Sequence, residues 1–286
     1  MLLSILHETR YSYDGPVSHG LQRLRLRPKS THGQEIVAWT TTLEGARHEA
    51  QYDDHHYNHV SLVSIDPGAR EVVVTSSGVV RTVDNNGILG EHVGHVPLWC
   101  FLRQTPLTKP GVRVRSLLAG LRPDRSNTLT FLHELSEAVR GAIAYEPGAT
   151  DVTTTAEQAL TVGRGVCQDH VHAFISAARL VDIPMRYVGG YLRMDDRVEQ
   201  EAGHGWAEAH VPGLGWVGFD VANAICPDER YVRVATGCDY TEAAPTTGVV
   251  MGAGDSRLSV RLSVDEEHMQ HQQQQAQDGQ QQSQRG

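Results

Sequence analysis

The stretch "GRGVCQDHVHAFISAARLVDIP", residues 163–184, joins a glycine-bounded turn, a cysteine and an apolar run that ends at a proline. This order predicts a helix that begins near Cys167 and stops before Pro184. The free N–H groups and the positive dipole end at a helix N-terminus stabilise an anion, so they favour a thiolate at Cys167. The residue is therefore a nucleophile, a metal ligand beside His170 and His172, or a buried structural thiol. Gly165, just upstream, would allow a substrate carbonyl to approach the backbone closely.

A second informative stretch is "GHGWAEAHVPGLGWVGFDVAN", residues 203–223, in which two alternating segments flank a Pro-Gly-Leu-Gly turn. This pattern predicts a β-hairpin whose first strand has His204 and Trp206 on one face. A two-residue loop would pair Asp220 with Ala207, on the face away from His204. A loop of three or five residues would pair Asp220 with Trp206, within reach of His204. The glycines suit a three-residue turn with a bulge, so we predict that a cysteine, a histidine and an aspartate converge.

Together with "TTTAEQAL" at residues 153–160, these segments resemble three consecutive parts of bacterial members of the transglutaminase-like superfamily. The likeness covers about residues 125–240, and the β-rich start of the chain resembles the N-terminal region that those proteins carry. Two departures are that Gly205 stands where alanine is usual and that "DVAN" replaces the commoner Asp-Pro-Thr-Asn. The resemblance implies a papain-like α+β core with a nucleophile, a base and an orienting acid, which are Cys167, His204 and Asp220.

These residue types suit acyl transfer through a covalent intermediate. The thiolate attacks an acyl carbon, the imidazole gives a proton to the departing amine, and the carboxylate orients the imidazole. The backbone N–H of Cys167 is the expected first oxyanion donor, and Gln158 and Gln168 are candidates for the second. We expect water to take the acyl group, because no lysine channel or calcium loop is evident. The alternatives are amine cross-linking of protein glutamines and a non-catalytic peptide- or protein-binding module of the same fold.

The remaining sequence predicts the domain organisation. Short strands rich in valine, leucine and threonine fill the chain up to about Thr82, and apolar residues then recur at helical spacing between Leu129 and Ile143. Thr154 and Glu157 have the spacing of a capping box. These elements indicate an α+β fold class, and the resemblance implies that it is a papain-like/transglutaminase-like core preceded by an all-β N-terminal domain. The predicted segments are a β-rich domain at 1–96, a linker at 97–125, a catalytic domain at 126–264 and a disordered glutamine-rich tail at 265–286.

A metal site is the competing interpretation of the histidines. On a helix, Cys167 and His170 share a face but His172 does not, and this helix has no CxxC or HxxxH pair. The stretch "DDHHYNH", residues 53–59, is typical of an exposed polar turn between strands. We therefore predict neither a metal nor a cofactor. His210 is expected to be a partly exposed strand residue, and Trp206 and Trp216 to pack beside the site.

Composition restricts the function classes further. The formal net charge of -9 disfavours a nucleic-acid surface, which requires clustered lysine and arginine. No apolar run approaches the roughly 18 residues of a membrane span. The start of the chain resembles a first strand rather than a signal peptide, and four widely spaced cysteines indicate no disulfide framework. The sequence thus predicts a cytoplasmic protein that acts on a peptide or protein substrate, away from nucleic acid and membrane.

Overall fold

The computed structural model describes residues 1–123, 127–200, 202–252 and 254–267. The first third of the chain forms seven strands: β1 (Leu2–Tyr13), β2 (His19–Arg27), β3 (Gln34–Glu44), β4 (Ala46–Asp53), β5 (His59–Ile65), β6 (Glu71–Thr82) and β7 (Ile88–Gly90). Their alternating side chains give each sheet one apolar face, as a half-buried antiparallel sheet requires.

Helices follow, interrupted by two very short strands. They are a 3₁₀ helix (Leu98–Leu102), α1 (Val112–Ala119), α2 (Thr128–Ala142), β8 (Ala144–Tyr145), α3 (Ala156–Val162), β9 (Arg164–Gly165) and α4 (Cys167–Arg179). The remaining elements are β10 (Met185–Leu192), β11 (Glu199–Gln200), β12 (His204–Val211), β13 (Gly215–Phe219), β14 (Tyr231–Gly237), α5 (Tyr240–Ala243), β15 (Thr246–Met251) and β16 (Ser256–Glu266).

Three larger sheets organise these strands. Two belong to a sandwich, with strand orders β11-β16-β1-β6-β3 and β15-β2-β5-β4, and one apolar cluster that includes Val63 and Val74 joins their inner faces. The third sheet, β14-β10-β12-β13-β7, carries the helices. Helix α4 lies at its centre, and the small residues Ala207 and Ala209 of β12 let the helix pack closely against the sheet.

Helix α2 shows why the helical spacing in the sequence is informative. Its apolar stripe buries Leu132, Leu135 and Val139 completely, and Asn127 caps its first turn by accepting the Thr130 N–H. Ile143, the last residue of the predicted face, ends the helix and is also buried. The periodic residues therefore anchor α2 to the core, as the sequence predicts.

The pairing of strands departs from the predicted segment boundaries. Strand β7, inside the predicted segment 1–96, pairs with β13 of the helix-bearing sheet. Strands β15 and β16, late in the chain, pair with β2 and β1 of the sandwich, because Leu262 and Val264 have their apolar partners there. The predicted linker 97–125 includes the 3₁₀ helix and α1, both of which bury apolar side chains. The predicted tail begins inside β16, and its residues 268–286 lie outside the described residues.

Candidate active site

Cys167 is the first residue of α4, as predicted, and its N-terminal turn is closed by Asp169. The Asp169 carboxylate accepts hydrogen bonds from the Val166 N–H at 2.7 Å and from the Thr150 hydroxyl at 2.6 Å. A Cβ at Gly165 would lie only 2.5 Å from the Asp169 carboxylate. Gly165 therefore makes room for this capping carboxylate.

The hairpin of β12 and β13 has the odd register that the glycine pattern predicts. Val211 pairs with Gly215 and Ala207 with Phe219, so the loop holds three residues and Asp220 falls opposite Trp206. Consequently Asp220 lies on the His204 side of the hairpin. The His204 Nε2 lies 2.6 Å from Asp220 Oδ2, and both side chains are buried.

Two further residues hold the Asp220 carboxylate in place. The Tyr231 hydroxyl and the Asn223 side-chain amide each donate to Oδ2 at 2.7 Å, and the Asn223 N–H donates to Oδ1 at 3.2 Å. Asn223 is the last residue of "DVAN", so an aspartate followed three residues later by asparagine was the available signal for it. Tyr231 comes from β14, and nothing in the local sequence connects it with Asp220.

The electrostatics of this group favour a charged imidazole. Burial lowers the pKa of His204, but hydrogen bonds to Asp220 and Cys167 and the negative charges of both outweigh burial and raise the pKa to about 10. Burial raises the pKa of Asp220, yet the bonds from His204, Tyr231 and Asn223 prevail and lower it. His204 and Asp220 thus form a hydrogen-bonded pair, and Cys167 is close enough to influence the charge of the imidazole.

Comparisons with known proteins agree with this arrangement. Residues 115–221 match the model of the transglutaminase-like superfamily, and residues 3–81 match that of the bacterial transglutaminase-like N-terminal region. The chain belongs to the transglutaminase-like superfamily. Its fold and family support a cysteine-dependent enzyme of that superfamily, and the predicted fold class, a papain-like/transglutaminase-like core after a β-rich N-terminal region, is confirmed.

Relatives of this transglutaminase-like protein extend over nearly its whole length. An uncharacterized protein of Mycobacterium leprae is 28% identical over 92% of this chain and 98% of its own length. An uncharacterized protein of Mycobacterium tuberculosis is 24% identical, with 91% of both chains covered. A candidate cysteine protease from Cytophaga hutchinsonii has a similar fold, with a TM-score of 0.74 and 18% identity over 93% of this chain and 90% of its own.

Aromatic residues surround the transglutaminase-like site. The Trp206 ring lies 6.4 Å from that of His204 and 5.4 Å from that of Tyr231, so Trp206 packs beside the site as predicted. Trp216 instead packs against Phe101 and His210, at the opposite end of β12, because the alternation of β13 places it next to His210. His210 is half-buried, in agreement with its interpretation as a strand residue.

The two glutamines proposed as oxyanion donors both have structural partners. The Gln158 side chain accepts the Thr155 N–H at 2.9 Å and closes the capping box of α3. This box lies one residue after the predicted pair, because Glu157 turns away to accept three N–H groups at the start of α1. The Gln168 amide donates to the Val152 carbonyl at 3.2 Å. Both side chains therefore take part in local hydrogen bonds.

The rings of the two histidines next to Cys167 have backbone partners. The two ring nitrogens of His170 lie 2.8 Å and 2.9 Å from the carbonyl oxygens of Val166 and Ile143. His172 accepts the Tyr240 N–H at 3.3 Å, and burial lowers its pKa to about 4. The two rings are therefore engaged with different parts of the backbone.

The turn 53–59 connects two strands, as predicted, but it is not simply exposed. Asn58 is fully buried because its amide exchanges hydrogen bonds with the backbone of Thr236 in β14. His56 is buried 2.9 Å from the Glu242 carboxylate. Among the described residues, one group of three potential metal ligands within 4.8 Å of one another occurs here, formed by His55, His56 and Glu242. The Glu242 carboxylate also accepts the Cys238 N–H at 2.7 Å, and its contact with His56 connects the turn 53–59 to the end of β14.

Proposed function

We propose that this protein is a cysteine hydrolase that cleaves peptide or amide bonds, with Cys167, His204 and Asp220 as its catalytic residues. The observation that carries the proposal is the buried hydrogen bond between His204 and Asp220, with Cys167 close enough to His204 to help raise the pKa of the imidazole. A nucleophile, a base and an orienting acid in this order are the requirement for covalent acyl transfer.

The chemistry divides into two steps. The Cys167 sulfur attacks the carbonyl carbon of the substrate while the backbone N–H of Cys167, at the start of α4, stabilises the oxyanion. As the C–N bond breaks, the His204 imidazolium donates its proton to the departing amine. His204 then accepts a proton from water, which attacks the acyl-enzyme and releases the carboxylic acid and free Cys167.

Asp220 keeps the imidazole in its productive orientation throughout. Its carboxylate accepts from three side chains, His204, Tyr231 and Asn223, so it is held ionised and cannot rotate freely. An ionised, fixed carboxylate stabilises the imidazolium form of His204 that delivers the proton. The high pKa of His204 supports this role, because it keeps the acid form populated at neutral pH.

We infer a peptide or protein substrate from the exposed aromatic surface at the site. Tyr145 is 58% exposed, lies next to His170 and is close enough to Cys167 for the thiolate charge to raise its pKa, after burial as the main cause. An exposed tyrosine beside a nucleophile offers apolar surface and a hydroxyl to an extended chain.

We also propose a cytoplasmic location, in keeping with the four free cysteines. Cell fractionation with an antibody to the protein tests this location. The described helices are all too short or too polar to traverse a lipid bilayer.

The deciding experiment compares purified wild-type protein with Cys167→Ala on peptide, isopeptide and glutamine-amide substrates. We expect release of free amine from one of these classes and none from the variant. A parallel assay offers a glutamine-containing protein and a labelled primary amine. Amine incorporation that requires Cys167 and proceeds without hydrolysis would replace the hydrolase by a cross-linking enzyme. Unchanged turnover in Cys167→Ala would contradict the mechanism itself, and tight peptide binding without turnover in either protein would favour a binding module.

A further inference from the structure

A large cavity separates the sandwich from the outer face of the helix-bearing sheet. Its volume is about 870 Å³, within the usual range of small-molecule pockets. The loop after β2, the turn 53–59 and the segment around β7 form its walls, and Arg186, Trp216 and Arg233 line the opposite side. None of the three proposed catalytic residues lines it, so it is a different site from the one at Cys167.

The buried charges beside this cavity do not balance. Glu208, which is fully buried, accepts two hydrogen bonds from Arg233 at 2.8 and 3.1 Å and another from the Arg186 Nε. One carboxylate therefore faces two guanidiniums, and all three side chains are shielded from bulk water. Since a buried charge without a counter-ion is costly, this cluster is short of one negative charge.

Neighbouring groups add to the imbalance. Arg25 is matched by Asp54 at 3.4 Å, so this pair supplies no spare carboxylate. The Lys29 amine donates toward the His56 carbonyl, Asn58 Oδ1 and Thr236 Oγ1 at 2.9 to 3.2 Å. Burial, followed by repulsion from Arg233 and Arg186, lowers the pKa of Lys29. The excess is thus one positive charge, and two whenever Lys29 is protonated.

We propose that this cavity, the Arg186 cavity, binds a small organic molecule through a carboxylate or phosphate group. Arg186 is suited to this role, because its guanidinium packs over the Trp216 ring, 4.0 Å from the ring centre. Glu208 takes only its Nε, and no other described residue accepts from its two terminal nitrogens, which form the planar fork that suits a carboxylate or phosphate. The size of the cavity leaves room for more than an inorganic ion.

Residues at the mouth of the Arg186 cavity modulate access. Arg27 is exposed there and extends the positive surface outward. Asp53 and Glu91 also line the mouth, but both are exposed, so water and salt screen their charges. An anion would meet weakened repulsion at the entrance and uncompensated guanidinium charge inside.

The test measures binding of inorganic phosphate and citrate by calorimetry and by thermal shift, with ionic strength held constant by sodium chloride. We expect saturable binding of at least one of the two, and the tighter one identifies the anionic group preferred. Arg186→Gln leaves Glu208 paired one to one with Arg233, so the fold should persist while affinity falls by about tenfold or more. Arg27→Gln should weaken binding by about two- to fivefold.

Arg140→Gln, on the surface of α2, is the matched control and should bind as wild type does. A thermal shift that rises without saturation and equally in all variants would be a general salt effect and would overturn the proposal. Binding unaffected by both Arg186→Gln and Arg27→Gln would overturn it as well. Because Arg27 is exposed, its variant decides the question even if Arg186→Gln fails to fold.

Discussion

Strand β12 has a buried carboxylate near His204 at one end and another toward the other end, and the charges around the two carboxylates differ. At one end the buried Asp220 meets a single cation, His204, and is held by two neutral donors, Tyr231 and Asn223. At the other end, four residues or about 13 Å along the same face, the buried Glu208 meets two guanidiniums. At the first end Asp220 pairs one to one with His204 and its other bonds come from neutral groups, so the cation can be used to move a proton. The second end keeps positive charge in excess, which suits it to holding an anion.

Removal of the nucleophile tests the first end most severely. Cys167→Ala should reduce kcat/KM by at least about 10³-fold, because the covalent route is lost. The melting temperature should change little, since Cys167 is only half-buried at the start of α4. Hydrolysis kinetics and calorimetric unfolding of both proteins provide the measurement. A large loss of stability would instead assign Cys167 a packing role.

Replacement of the Asp220 carboxylate by a neutral amide should separate its effect on the orientation of His204 from its effect on the stability of the fold. Asp220→Asn should lower kcat by about 10²–10⁴-fold because the imidazole loses its anionic partner. The wild-type rate should fall on the alkaline side with a midpoint at about 10, where His204 loses its proton, and in the variant this limb should move toward the ordinary value of 6.5. The raised pKa of His204 also stabilises the fold below pH 6.5, and this contribution should disappear as pH rises through 10. A pH profile with an unmoved alkaline limb would show that Asp220 does not set the charge of His204.

Replacement of the Glu208 carboxylate by a neutral amide, the equivalent change at the second end, should lower the stability of the fold. Glu208→Gln leaves two buried guanidiniums without a carboxylate and should cost about 3–5 kcal/mol of unfolding free energy. Arg186→Gln, which preserves a one-to-one pair, should cost clearly less. Urea unfolding of the two variants measures the difference. Equal losses would mean that the excess charge carries no energetic cost, and the contrast between the two ends of β12 would disappear.

The smallest expected effects belong to the two glutamines. Gln168→Ala should lower kcat less than tenfold, because its amide is engaged by the Val152 carbonyl. Gln158→Ala should cost about 0.5–2 kcal/mol of stability through loss of the α3 cap. Single-turnover rates and melting temperatures distinguish the two roles. A loss of 10²–10³-fold in Gln168→Ala would make it the second oxyanion donor after all.

The sequence predicted those features of the site that depend on local order. The N-terminal position of Cys167 follows from a glycine turn before an apolar run, and the His204 and Asp220 pairing follows from turn chemistry and strand alternation. Tyr231 could not be found in this way, because it reaches Asp220 from a different strand. The charge excess at Glu208 could not be predicted from the sequence either. Arg186 on β10 and Arg233 on β14 approach Glu208 on β12 only in the folded sheet, where β10 lies between β14 and β12.

Boundaries that depend on non-local pairing were the least predictable. The alternation of β16 marks it as a strand, but only the folded chain reveals that its partner is β1. The turn 53–59 likewise has the composition of an exposed loop, and the burial of Asn58 depends on a carbonyl at Thr236, 178 residues away. Composition reports how polar a segment is, whereas burial depends on what the rest of the chain brings to it.

The pairing of β1 with β16 has a consequence for synthesis on the ribosome. About 240 residues separate the two strands, so at 5–20 residues per second β1 emerges roughly 10–50 s before its partner exists. During that interval one edge of β1 presents open N–H and C=O groups, which are a template for pairing with other nascent chains. Leu3 and Ile5 of β1 also belong to the apolar cluster that supports α4. Translation that stops before β16 would therefore yield a chain prone to aggregation, and the last strand completes the sandwich and the packing beneath Cys167 in one event.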